Sequence, residues 1–128
     1  MRLLYVDDDR VNTLLFVEAC RVAGVLEVET AGSGAEALEL VRCFRPDLLV
    51  IDLHLPDTTG YALLPALRER LGSPTMPAIL CTAEAPDLVE LPARSAGFSR
   101  CWTKPATPQS IVAGLQMHGA AAVQTAAP

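Results

Sequence analysis

The stretch that most constrains the fold is Leu48-Leu49-Val50-Ile51-Asp52, four consecutive aliphatic residues that run straight into a carboxylate. Two of the four are β-branched, and an uninterrupted apolar run of this length reads as a strand covered on both faces, as in the middle of a parallel sheet. An acid at the end of such a strand is out of place in a core. In open α/β sheets the crevice beyond the carboxyl ends of the strands is where ligands bind, so Asp52 is read as the working residue.

The rest of the chain repeats this design. Leu3-Leu4-Tyr5-Val6 is an apolar strand that ends in Asp7-Asp8-Asp9, and Ala78-Ile79-Leu80-Cys81 ends at Thr82. Arg100 to Thr103 is a short strand that ends at Lys104-Pro105. Leu26 to Ala31 alternates Val28 and Thr30 against Glu27 and Glu29, the pattern of a strand with one side near solvent. The helical stretches fall between these strands. Arg10 to about Ala23 places Val11, Leu14, Leu15, Ala19 and Val22 at helical spacing, with an aspartate as cap and Gly24 as stop. Ser33-Gly34-Ala35-Glu36 is a capping box before Ala37, Leu38, Val41 and Phe44, and Pro46 ends that helix.

After the loop from Leu53 to Gly60, Leu64, Leu67 and Leu71 share a helical face, with Pro65 expected near the first turn. From Ala83 to Gly97, Pro86 and Pro92 limit any helix to a few turns around Asp87 to Ala96, and this segment is expected to be the most mobile. Thr107-Pro108 caps a last helix made amphipathic by Ile111, Val112 and Leu115. Residues 1–118 form one domain on this reading, and the alanine-rich 119–128 a flexible tail.

Five strands alternating with five helices give a parallel sheet with helices on both faces, because each crossover is right-handed. The strand ends then share one edge, where three or four carboxylates, one hydroxyl and one ammonium converge. Clustered carboxylates repel one another unless a cation joins them, which points to a divalent metal such as Mg²⁺. A lysine and a hydroxyl opposite that metal can hold phosphoryl oxygens, and an aspartate can be the nucleophile of phosphoryl transfer.

Composition sets outer limits. With 128 residues the chain is one domain, and a formal charge of -5 argues against direct binding to nucleic acid. Cys20, Cys43, Cys81 and Cys101 lack paired metal or redox spacing and read as buried, reduced thiols. No signal peptide and no apolar run of membrane-spanning length is present, so a cytoplasmic protein is expected.

At the strand ends the residues match a family. L-Y-V-D-D-D, V-I-D-L-H-L-P-D-T-T-G, L-C-T-A-E-A and W-T-K-P occur in the order and near the spacing of the receiver domain of two-component response regulators, which the chain resembles from Arg2 to Gln116. The resemblance implies a (βα)5 flavodoxin-like receiver fold. It implies that Asp52 accepts a phosphoryl group from a phosphohistidine on a histidine kinase or histidine phosphotransfer protein. Asp7 and Asp8 match the acidic pair that holds Mg²⁺, and His54 matches the position offering a backbone carbonyl to it. Thr82, the amide of Ala83, and Lys104 match the groups that bind phosphoryl oxygens. Lys104-Pro105 matches the family's cis peptide, a form confined in practice to proline.

Other polar residues have plainer readings. Asp9 reads as a helix cap, His118 as an exposed residue of the last helix, and the His54 imidazole and Glu84 as rim groups able to affect hydrolysis. Two departures stand out. Cys101 occupies the position where the family usually has an aromatic switch residue, with Trp102 next to it, and Thr59 precedes Gly60 where an acid is common. The departure at Cys101 keeps a second reading open, a pseudo-receiver that binds partners without phosphorylation. A haloacid-dehalogenase-type phosphatase fits poorly, since His54 stands where it needs a second acid. No output domain follows the last helix, so the expectation is a stand-alone receiver, a phosphorelay shuttle, or a receiver excised from a longer protein.

Overall fold

The computed structural model describes residues 1–25 and 27–118. The expected tail, 119–128, and the side chain of His118 lie outside the described residues. Strands β1 (Arg2–Val6), β2 (Glu27–Ala31), β3 (Leu48–Asp52), β4 (Ala78–Thr82) and β5 (Arg100–Thr103) alternate with helices α1 (Arg10–Ala23), α2 (Gly34–Leu40), α3 (Gly60–Leu71), α4 (Pro86–Ala96) and α5 (Pro108–His118). All strand pairs are parallel, in the order β2-β1-β3-β4-β5. This is the flavodoxin-like order, and it makes a topological switch point between β1 and β3.

Strand alternation divides the core in two. Leu4, Val6, Leu49, Ile51, Ala78 and Leu80 face one side, where they pack with Ala37 of α2, Leu63, Leu64 and Leu67 of α3, and Val89 and Ala93 of α4. Leu3, Tyr5, Leu48, Val50, Ile79 and Cys81 face the other, against Phe16, Ala19 and Cys20 of α1 and Ile111 of α5. Because β1, β3 and β4 are covered on both faces, their sequences carry no polar alternation. The edge strand β2 does alternate, with Glu27 and Glu29 exposed.

Local signals set the helix ends. The side chains of Asp9, Ser33 and Thr59 accept hydrogen bonds from the amides of Asn12, Glu36 and Ala62, so each caps a helix start. Helices α1, α3 and α4 stop at Gly24, Gly72 and Gly97, all at positive φ. Asp9 is thus the cap it reads as in the sequence, and Thr59 has a role of its own.

Several expectations need correction. Of the five residues proposed for the buried face of α1 only Ala19 is buried, while Val11, Leu14 and Val22 are 66%, 63% and 61% exposed. The helix instead buries Phe16, whose ring stacks on Tyr5 with centroids 4.0 Å apart. Helix α2 ends at Leu40, well before Pro46, although Val41 and Phe44 still reach the core. Pro65 lies inside α3 rather than in its first turn, whereas α4, 11 residues long with Pro92 inside it, is the short helix expected there. Cys20 and Cys81 are buried, but Cys43 is exposed and Cys101 only partly covered. On α5, Ile111 is buried and Val112 exposed.

One close approach fixes how α5 lies on the sheet. A Cβ at Gly114 would overlap the Trp102 indole and come within 3.1 Å of Ile79 Cδ1. Replacing glycine by alanine in a helix is worth about 1 kcal/mol, but overpacking a core costs about 1–3 kcal/mol. Gly114→Ala is therefore expected to lower the urea midpoint at unchanged m-value, and a raised midpoint would show that Trp102 yields freely.

Candidate functional site

Strand register assembles the site. Val6 pairs with Ile51, so Asp7 leaves β1 beside Asp52. Asp52 pairs with Cys81, which puts Thr82 one step beyond it, and Thr82 pairs with Thr103 ahead of Lys104. The Lys104 amide donates to the Thr82 carbonyl at 2.9 Å, and the Lys104-Pro105 peptide is cis. Asp7, Asp52, Thr82 and Lys104 thus meet at one edge of the sheet, spanning the switch point.

Asp7 and Asp52 are buried side by side, and the Lys104 ammonium lies between them, 2.7 Å from Asp7 Oδ2 and 2.9 Å from Asp52 Oδ2. Asp7 is held further by the Tyr5 hydroxyl, which donates to Oδ2 at 2.7 Å, and by the Asp9 amide, which donates to Oδ1 at 2.9 Å. Burial raises the pKa of Asp52. The hydrogen bond and charge of Lys104 oppose that rise, Asp7 adds to it, and the net direction is upward. For Lys104, burial works against the ammonium, but its bonds to Asp7 and Asp52 and their charges outweigh this and hold its pKa up. Burial, then nearby Cys81 and Asp7, pushes the Tyr5 phenol far above its ordinary value, so it stays a donor. Burial also pushes the Cys81 thiol up to about 12.

Asp8 is exposed at the mouth. One oxygen from each of Asp7, Asp8 and Asp52 lies within 4.8 Å of the others. Three hard oxygen donors, opposed by one ammonium, suit a Mg²⁺-sized cation that keeps some of its waters. Thr82 is buried and its Oγ accepts a hydrogen bond from the Glu84 amide at 3.2 Å, while Ala83 is exposed just past the end of β4. The His54 imidazole is exposed at the rim, 3.7 Å from the Glu84 carboxylate.

The loop carrying His54 is a small hairpin. His54 and Thr59 form an isolated bridge, the Leu55 amide donates to the Thr58 carbonyl at 3.1 Å, and the Gly60 amide donates to the Leu53 carbonyl at 2.8 Å. Gly60 is required at its base, since a Cβ there would lie 2.6 Å from the Asp52 carbonyl oxygen. Two residues of this neighbourhood escaped the sequence reading. Tyr5 could have been found from strand periodicity, because it lies on the same side of β1 as Asp7. Asp57 had no such signal, for its partners, the Gly34 and Ala35 amides, come from another part of the chain.

The family model described as the response regulator receiver domain matches residues 3–116. The chain is 35% identical over 116 residues to the probable transcriptional regulatory protein TcrX of Mycobacterium tuberculosis, covering 89% of this chain but 47% of that protein. It thus spans about half the length of this curated relative. It is 31% identical over 103 residues to the polar-differentiation response regulator DivK of Brucella anthropi, covering 80% of this chain and 83% of that one. Among solved structures, the chemotaxis protein CheY4 of Vibrio cholerae superposes with a TM-score of 0.81 at 27% identity, covering 91% of this chain and 97% of that chain.

Burying the Asp52 carboxylate has a measurable cost. Above its raised pKa Asp52 is an ionised group in an unfavourable place, and as pH falls through that pKa it takes up a proton and the cost disappears. In chelator at pH 8, Asp52→Asn is expected to melt a few degrees above the wild type, at about 4 °C per kcal/mol for a domain of this length. The gap should narrow as the pH is lowered and Asp52 takes up its proton. A variant that melts lower at pH 8 would mean that the Lys104 pairing outweighs the burial cost.

Proposed function

The chain belongs to the response regulator receiver domains of two-component signalling, and from that premise we propose that it takes a phosphoryl group from a phosphohistidine onto Asp52. The observation that carries the reading is the Lys104 ammonium bridging Asp7 and Asp52 at the switch point. An Asp52 carboxylate oxygen attacks phosphorus in line, the phosphorus–nitrogen bond to the donor histidine breaks, and its electron pair returns to the imidazole. An acyl phosphate on Asp52 results.

Asp7, Asp8, Asp52 and the His54 carbonyl would hold Mg²⁺, which when bound neutralises charge on the phosphoryl oxygens. Lys104 exchanges part of its pairing with Asp52 for a phosphoryl oxygen. The Thr82 hydroxyl turns from the Glu84 amide to a second oxygen, and the Ala83 amide donates to it as well. Tyr5 keeps Asp7 oriented throughout. Such transfers depend on positioning and charge neutralisation more than on acid–base work, which suits a site of carboxylates, one ammonium and one hydroxyl. The domain acts as a signalling phosphoacceptor, promoting its own phosphorylation and dephosphorylation rather than turning over a metabolite. Four free thiols fit a reducing compartment such as the cytoplasm.

The donor is a histidine kinase or histidine phosphotransfer protein. Helix α1 begins three residues after Asp7 and presents Val11, Leu14 and Leu15 to solvent on its first turns. Exposed aliphatic side chains beside a crevice form a docking surface for another protein, here one that brings its phosphohistidine to Asp52.

Intact mass after incubation with acetyl phosphate tests the chemistry. The wild type is expected to gain one phosphoryl group, about 80 Da, only with Mg²⁺, and Asp52→Asn none; no adduct in a rapid quench would favour an interaction module that works without phosphorylation. Leu14→Glu tests the docking face. It is expected to slow transfer from a phosphorylated histidine phosphotransfer protein about tenfold, the equivalent of about 1.4 kcal/mol of docking energy, with labelling by acetyl phosphate unchanged. Equal slowing with both donors would place the defect in the site instead.

A further inference from the structure

The hairpin from Leu53 to Gly60 is stitched by its own hydrogen bonds and seated at its base by Leu53, which is buried in the core, with Leu55 packed against that core. Its rim contact through His54 and Glu84 is an exposed pair at 3.7 Å, the kind that holds little. Near the tip, the exposed Asp57 carboxylate ties the hairpin to the start of α2. Its Oδ1 accepts from the Gly34 amide and its Oδ2 from the Ala35 amide, both at 2.9 Å. These are the first two amides of α2, and the next two are satisfied within the helix cap, Glu36 by Ser33 Oγ and Ala37 by the Ser33 carbonyl. Asp57 therefore completes the start of α2, and α2 in turn anchors the tip of the hairpin.

The contact is tight as well as polar. A Cβ at Gly34 would lie 2.6 Å from Thr58 Cγ2 and 3.3 Å from Asp57 Oδ1, so the hairpin approaches as closely as it does only because residue 34 is glycine. Helix α2 rests on the core through Ala37, which is fully buried. The tip is thus tied to an element that is itself fixed to the sheet carrying Asp7 and Asp52.

We propose that Asp57 is a positioning residue for the metal site, holding the hairpin, and with it the His54 carbonyl, at the height over the sheet that Mg²⁺ binding requires. This rests on the phosphoacceptor reading above, in which that carbonyl is a ligand. Asp57 touches neither metal nor phosphoryl group and acts through the hairpin. Groups that orient metal ligands from outside are commonly worth about 10-fold or more in affinity.

The test is an amide NMR titration with Mg²⁺ on the wild type, Asp57→Ala, Asp57→Asn, Gly34→Ala and Ser33→Ala. Asp57→Ala is expected to weaken Mg²⁺ about 10-fold, and Gly34→Ala to do the same by pushing the hairpin away while Asp57 remains. Asp57→Asn, which keeps one accepting oxygen, falls between. Ser33→Ala removes the other cap of α2 without touching the hairpin, so it should cost stability and leave Mg²⁺ affinity within about twofold, which separates positioning from a general weakening of α2. Labelling by acetyl phosphate adds a second readout, in which saturating Mg²⁺ restores the maximal rate of Asp57→Ala. Unchanged affinity in Asp57→Ala and Gly34→Ala, or equal losses in Ser33→Ala, would overturn the proposal while leaving the phosphoacceptor reading intact. No Mg²⁺ binding by the wild type would overturn the metal-site reading and this proposal with it.

Discussion

Two carboxylates buried next to each other need a cation between them, and the Lys104 ammonium between Asp7 and Asp52 is what makes the edge of this sheet possible. Taking such groups out of water is expensive, and an ion pair offsets the expense only with good geometry and further hydrogen bonds. The Tyr5 hydroxyl and the Asp9 amide supply those for Asp7. Even so, one ammonium faces two buried acids, with Asp8 at the mouth, and the excess negative charge favours a second cation. Burial raises the pKa of Asp52 first of all, and the neighbouring Asp7 charge adds to that rise. The site is held together well enough to fold, and its acids are left only partly neutralised.

The fold turns this local tension into a defined geometry. The two halves of the core clamp β1, β3 and β4 from both sides, so the residues at their ends are set by rigid strands. Loops add the remaining groups from above, and each is tied down: Lys104 by its amide to Thr82, Glu84 by its amide to Thr82 Oγ, the His54 hairpin by Asp57. The chemistry therefore sits on a stiff floor, with adjustable parts only at the rim. Helix α1 begins at that rim and carries Val11, Leu14 and Leu15 outward, next to the site but sharing no residue with it.

Much of this was legible in the sequence because buried parallel strands have a plain signature. Three apolar runs ending in Asp7, Asp52 and Thr82, with Lys104 closing a shorter fourth, encode the sheet, its direction and the shared edge. What failed has physical causes. Helix α1 carries two apolar stripes, one of Phe16, Ala19 and Cys20 and one of larger aliphatics, and periodicity cannot say which meets the sheet; the stacking of Phe16 on Tyr5 decides it. Pro65 sits inside α3 where propensity alone would place it near the start, since Leu63, Leu64 and Leu67 packed in the core outweigh one lost backbone bond. Asp57 was invisible because its partners are 23 and 22 residues away in the chain, a separation no local pattern encodes.

The alternation of β2 bears on a different matter, how the domain avoids its own kind. An edge strand offers unpaired amides and carbonyls to any other strand, including the same strand of another copy. Two molecules meeting along β2 in an antiparallel register centred on Val28 would set Glu27 of one directly across from Glu29 of the other, twice over, and like charges so placed repel. Glu27 shares its charge with Arg2 of β1, 3.0 Å away, so part of that repulsion is offset, and what remains still makes β2 a poor edge for a second copy to extend.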